Sequence, residues 1–152
     1  MRSVLLMTPL LAVCGFLLSL AEAAPVPKGI KKPDDAKLLE GWWEGVTMDD
    51  GRGATPHRDK DLIRDGLLYH SGTLRNEEPG QPIRLDPTKS PKEFDVEWSP
   101  GKVYHGIYRI EGDNLTLCHG NPGQPRPTEF VGSGGTTYCI VYKRATEAKR
   151  DQ

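Results

Sequence analysis

The chain of 152 residues has almost no net charge: 20 Lys and Arg stand against 21 Asp and Glu, leaving −1 with neutral histidines. That balance excludes the basic excess or stripe that marks a nucleic-acid-binding surface, and there is no strongly acidic tail. Histidine is scarce, with only His57, His70, His105 and His119. None pairs with another His or Cys at metal-ligand spacing except His119, which directly follows Cys118. Adjacent strand residues point to opposite faces, so that pair does not chelate, and neither a metal nor a cofactor is expected. Ser133 lies in Gly132-Ser133-Gly134-Gly135 after Val131, which is not the Gly-x-Ser-x-Gly elbow of a hydrolase. No helix start follows it, so a phosphate-binding loop is missing too. Internal repeats and long amphipathic helical patterns are also lacking.

Turn formers are abundant instead. Gly 17 and Pro 13 favour many short elements over long helices. At the N-terminus, Arg2 precedes a nearly unbroken apolar run from Val4 to Leu20, and Ala21-Glu22-Ala23 supplies the small-x-small pattern of a cleavage site. Residues 1–23 therefore read as an export signal, with Ala24 as the first mature residue and no stable membrane span after cleavage. Residues 24–37 read as a flexible linker with a short helical turn at Asp34–Glu40, and 145–152 as a frayed tail. Cys14 leaves with the signal. Cys118 and Cys139 remain as an even pair in an exported chain, where disulfides persist. A loop of about 20 residues closed this way contributes on the order of 3 kcal/mol. The other reading is two buried thiols packing as small hydrophobes.

Between residues 38 and 144 the pattern is all-β. Gly41 to about Met48 reads as the first strand. Asp65-Gly66 is a two-residue hairpin signal between Asp61–Arg64 and Leu67–His70. The polar stretch Thr55–Lys60 reads as loop. Ile83–Leu85 is short, and prolines 87 and 91 forbid further pairing. The clearest alternation runs through Glu93-Phe94-Asp95-Val96-Glu97-Trp98, with Phe94, Val96 and Trp98 on one face and the acids on a wet one. Val103–Ile110 and Leu115–Cys118 flank a turn at Glu111–Asn114. Thr128–Val131 reads as a short strand, Gly132–Gly135 as a flexible tip, and Thr136–Arg144 as the last strand. Eight or nine strands joined mostly by short turns predict an antiparallel meander closed into a barrel or sandwich.

Several blocks carry a resemblance. Leu39-Glu40-Gly41-Trp42-Trp43, the run Leu85 to Asp95, the run Gly106 to Cys118, Arg126-Pro127-Thr128-Glu129-Phe130 and the closing Lys143-Arg144 occur in the same order as in a lipocalin-like domain family abundant in planctomycete bacteria. The resemblance covers about Leu38 to Arg144. It implies a lipocalin-like β-barrel of about eight to nine strands with a short N-terminal helical turn, and export to the periplasm or beyond. The family has no settled activity, so no catalytic residue is carried over. In lipocalins a Gly-x-Trp at the first strand closes one end of the barrel and a basic residue lies over the indole. The resemblance thus implies structural roles for Gly41 and Trp43, with Arg144, or else Lys143, covering the ring. Trp42, a second tryptophan beside the first, departs from that pattern.

Trp98, Tyr104, Tyr108, Phe94 and Tyr142 are candidates to line a pocket, since barrels of about eight strands either fill with side chains or hold one small ligand. Arg126, oriented by Pro127, reads either as a binder of an anionic ligand group or as a brace for Glu129, Asp86 or Asp95. Three functions follow. The first is a binding module for a small apolar or amphipathic ligand. The second is a filled barrel acting as an envelope interaction domain. The third is a hydrolase-like enzyme, which requires two of His105, Asp95, Glu97 and Arg126 to converge in one concave site.

Overall fold

The computed structural model describes residues 34–70 and 79–145. The export signal (1–23), the first part of the linker and most of the expected tail lie outside the described residues. One short helix, α1 (Asp35–Leu39), precedes nine strands: β1 (Gly41–Asp49), β2 (Ala54–Pro56), β3 (Lys60–Arg64), β4 (Leu67–His70), β5 (Gln81–Asp86), β6 (Lys92–Ser99), β7 (Lys102–Glu111), β8 (Asn114–Gly120) and β9 (Thr137–Ala145). All pairings are antiparallel. β1 and β3 to β9 pair in succession, and β9 returns to β1, closing an eight-stranded barrel; β2 is an extra strand on the far half of β1. Closure leaves the barrel without an unpaired edge, which is how all-β chains avoid open ladders.

The β3–β4 hairpin turns at Asp65 and Gly66, both with positive φ (54° and 74°), the backbone a tight two-residue turn requires. Two departures from the sequence reading matter. Within Thr55–Lys60, residues 55 and 56 belong to β2 and Lys60 opens β3; only residues 57–59 lie outside strands, three residues set against Gly45 and Val46 of β1, a bulge of one residue. Thr128–Val131 forms no strand. With β8 and β1 already on its two sides, β9 leaves this segment no ladder to join.

Inward residues follow the alternation. Trp43, Ile63, Leu68, Phe94, Val96, Tyr108, Leu115, Leu117 and Tyr142 form the core together with Leu39 of α1. The fold begins before Leu38. Asp34 caps α1 through its side chain, and Asp35 is itself buried.

A second, smaller cluster lies on the outside of the wall, where Ile107, Cys118 and Cys139 meet Phe130. Cys118 and Cys139 are directly opposed across β8 and β9 and joined by a disulfide. Residues 121–136 run over this face as a strap. The glycine-rich part of the strap is locked, not a free tip. The Gly135 amide donates to the Asp50 carbonyl at 2.9 Å. A Cβ on Gly132 would lie 2.4 Å from the Asp49 carbonyl oxygen, so only glycine allows this approach. Among the described residues no helix is long and apolar enough to cross a membrane.

Candidate functional site

The two ends of the barrel differ. At one end α1 plugs the opening. The Trp43 indole N–H donates to the Leu39 carbonyl at 2.8 Å. The Arg144 guanidinium lies 4.3 Å from the centre of that indole and donates to the Glu40 and Leu38 carbonyls, so Arg144 rather than Lys143 covers the ring. Gly41, with φ 116°, passes close beneath the guanidinium. Beside this plug, Asp35 Oδ2 accepts from Tyr108 Oη and from Lys92 Nζ, each at 2.6 Å. Burial, and then the Asp35 carboxylate, push the Tyr108 phenol well above its ordinary range.

At the other end a cavity of about 610 Å³ remains. Its floor is apolar: Leu68, Phe94, Val96, Leu117 and Ile140. Its rim is a nearly continuous arc of rings. His70 meets Trp98 at 4.8 Å between centroids, Trp98 meets Tyr104 at 6.0 Å, Tyr104 meets His119 at 5.4 Å, and His119 stacks on Tyr138 at 5.8 Å. Trp98 sits where the β6–β7 register shifts between Glu97 and Ser99, and such a bulge re-aims a side chain. It is 47% exposed, too open for a core residue.

The opposite part of the lining is polar. Behind the lining, Asp61, buried on β3, lies 2.7 Å from His70 Nδ1. The Tyr142 phenol is pushed well up by burial and by the facing Asp61 carboxylate. His57 and Asp59 come from the bulged stretch between β2 and β3, with His57 Nε2 3.7 Å from Asp59 Oδ2. The His57 ring lies over Gly45, where a Cβ would come within 2.2 Å of it. Burial is the main cause that lowers the His119 imidazole below its ordinary value; the Gly120 carbonyl opposes it.

Of the six sequence candidates for ligand contact, Trp98, Tyr104, Phe94 and Tyr142 line this cavity. Tyr108 does not, being held at the plugged end. Arg126 does not either. It belongs to the strap and lies against the outer wall, where Nη1 and Nη2 reach the two Asp95 oxygens at 2.6 and 3.1 Å and Nη2 lies 3.3 Å from Glu93. It also donates to the Gly106 carbonyl. His105 Nδ1 is 3.2 Å from the same Asp95 carboxylate. His105, Asp95 and Arg126 thus converge, but under a strap outside the cavity and in mutual bracing.

Sequence reasoning missed three cavity histidines. His70 and His119 were legible by parity, since they share their faces with Leu68 and Leu117; His57 was not, because it lies in the bulge. Among the described residues no group of three or more His, Cys, Asp or Glu side chains is placed to hold a metal ion. Comparison with protein-family models, with curated proteins and with solved structures gave no match.

Proposed function

We propose that this chain is an exported, lipocalin-like binding module that holds one small, largely apolar or amphipathic molecule in the open end of its barrel. The observation that carries this reading is the aromatic-rimmed cavity of about 610 Å³, a size within the range of small-molecule sites. A barrel built only for stability would fill this space, because interiors otherwise pack to crystal-like density. The export part rests on the N-terminal apolar run with its Ala-x-Ala site, and the disulfide is compatible with it.

The test is native mass spectrometry of the protein recovered from its own host's secretory route. Excess mass that disappears on denaturation is the expected result and identifies the ligand. A bare mass, together with no fluorescence gain from the neutral apolar dye Nile red, would sink the reading.

A further inference from the structure

The described lining of the cavity contains one carboxylate, Asp59, and three imidazoles, but no lysine or arginine; a second carboxylate, Asp61, lies just behind the lining residues His70 and Tyr142. Asp61 lies deep, 2% exposed, held by His70 on one side and facing Tyr142 on the other. Asp59 lies at the rim with its side chain 67% exposed. Histidines offset these charges only when protonated. Among the described residues, a carboxylate ligand entering here meets a like charge at Asp59, a second behind the lining at Asp61, and no permanent counter-charge. A cation meets the Asp59 carboxylate and also the negative ring faces of Trp98, Tyr104 and Tyr138. The apolar floor requires that the rest of the ligand be hydrophobic.

We propose, building on the small-ligand reading above, that the cavity selects amphipathic organic cations, with a flat apolar body and one ammonium group, ahead of carboxylates of the same shape. Asp61, behind His70 and Tyr142, adds a negative field to the deep part of the cavity without touching the ligand. Asp59 is the rim counter-charge that a cation meets first. The aromatic arc covers the apolar body and the carbon atoms next to the ammonium.

The experiment uses the full protein and three probes on one skeleton: 2-(1-naphthyl)ethylamine, 2-(1-naphthyl)ethanol and 3-(1-naphthyl)propanoate. Calorimetric titration at about pH 8 keeps ordinary imidazoles neutral. The amine is expected to bind about tenfold or more tighter than the acid, with the alcohol between them. Asp59→Asn and Asp61→Asn should each bring the amine-to-alcohol affinity ratio several-fold closer to one. Asp59 is exposed, so its variant keeps the test valid if the buried Asp61 variant fails to fold. An acid that binds as tightly as the amine would overturn the cation preference and leave the small-ligand reading standing. So would an Asp59→Asn protein whose amine-to-acid ratio is unchanged. No binding by any probe, with Nile red also silent, would remove both.

Discussion

The two ends of this barrel use the same kinds of residue for opposite purposes. Trp43 and Tyr108 at the plugged end are each 1% exposed, and their polar atoms are bonded within the chain. Trp98 and Tyr104 at the mouth present rings to a cavity. What separates them is what the chain supplies next to the ring. At the plugged end α1 brings a carbonyl for the indole and a carboxylate for the phenol, while Arg144 covers the indole face. At the mouth no described segment fills the space among the rings. Aromatic type alone therefore does not tell a structural residue from a binding one; the presence of an internal partner does.

The sharpest test compares the two tryptophans. Trp43→Ala removes a fully buried indole and should cost about 3–5 kcal/mol. Trp98→Ala should cost less than about 1 kcal/mol, because half of the ring is already in water, yet it should weaken Nile red binding. Urea unfolding followed by circular dichroism reads both. Equal costs would erase the distinction between the ends.

Next in size is the disulfide, which closes a loop of sequence separation 21. Removing it by Cys118→Ala with Cys139→Ala should cost on the order of 3 kcal/mol. The half-cystines pack with Ile107 and Phe130, and Cys118 also borders the cavity. Alanine keeps the backbone and Cβ there, so Nile red affinity in the folded fraction should stay within about twofold of wild type, well under 1 kcal/mol. A large loss of affinity would mean that the outer wall and the cavity are not independent.

Gly45→Ala tests the mouth where the chain does pack on itself. The new Cβ meets the His57 ring at 2.2 Å, so the imidazole must move. The expected cost is about 1–3 kcal/mol. The His57 proton resonances should shift, while those of His105 on the outer wall should not. Unmoved His57 signals would show that the ring is not held where the structure has it.

Much of this architecture was legible in the sequence, for physical reasons that differ by element. Phe94, Val96 and Trp98 alternate with acids, so the face of β6 followed from the period of two. Asp65-Gly66 named its hairpin through the positive φ it needs. β2 escaped because Ala54-Thr55-Pro56 has no apolar alternation; tertiary pairing to β1 alone makes it a strand. Thr128–Val131 looked extended but finds no free ladder, and Phe130 packs sideways onto the wall. At the site, Trp98 and Tyr104 were legible from the face they share with the core. Tyr108 shares that face too, and its exclusion from the cavity depends on Asp35, some seventy residues away in the chain. No local pattern reports such a partner. Arg126 shows the same limit: Pro127 hinted at a fixed guanidinium, but only the fold brings Asp95 beneath it.

The smallest expected effect concerns the wall between the two ends, where the strap is pinned by Arg126. Burial alone would push the Asp95 carboxyl up, but the Arg126 guanidinium and the His105 imidazole outweigh it and hold it below 3.8. A folded value below the unfolded one means that the stabilisation is fully present above the unfolded value and is lost as pH falls through the folded one. The contribution is modest, because both partners are partly exposed. Wild type should therefore lose stability on acidification below about pH 4 more steeply than Arg126→Met. In that variant the main cation is gone and burial favours the protonated carboxyl, so acid no longer breaks a bond that matters. Urea midpoints measured across this range for both proteins decide it. Parallel curves would mean that the strap is held by Phe130 and the glycine contacts alone, and that the ion pair follows the strap instead of fixing it.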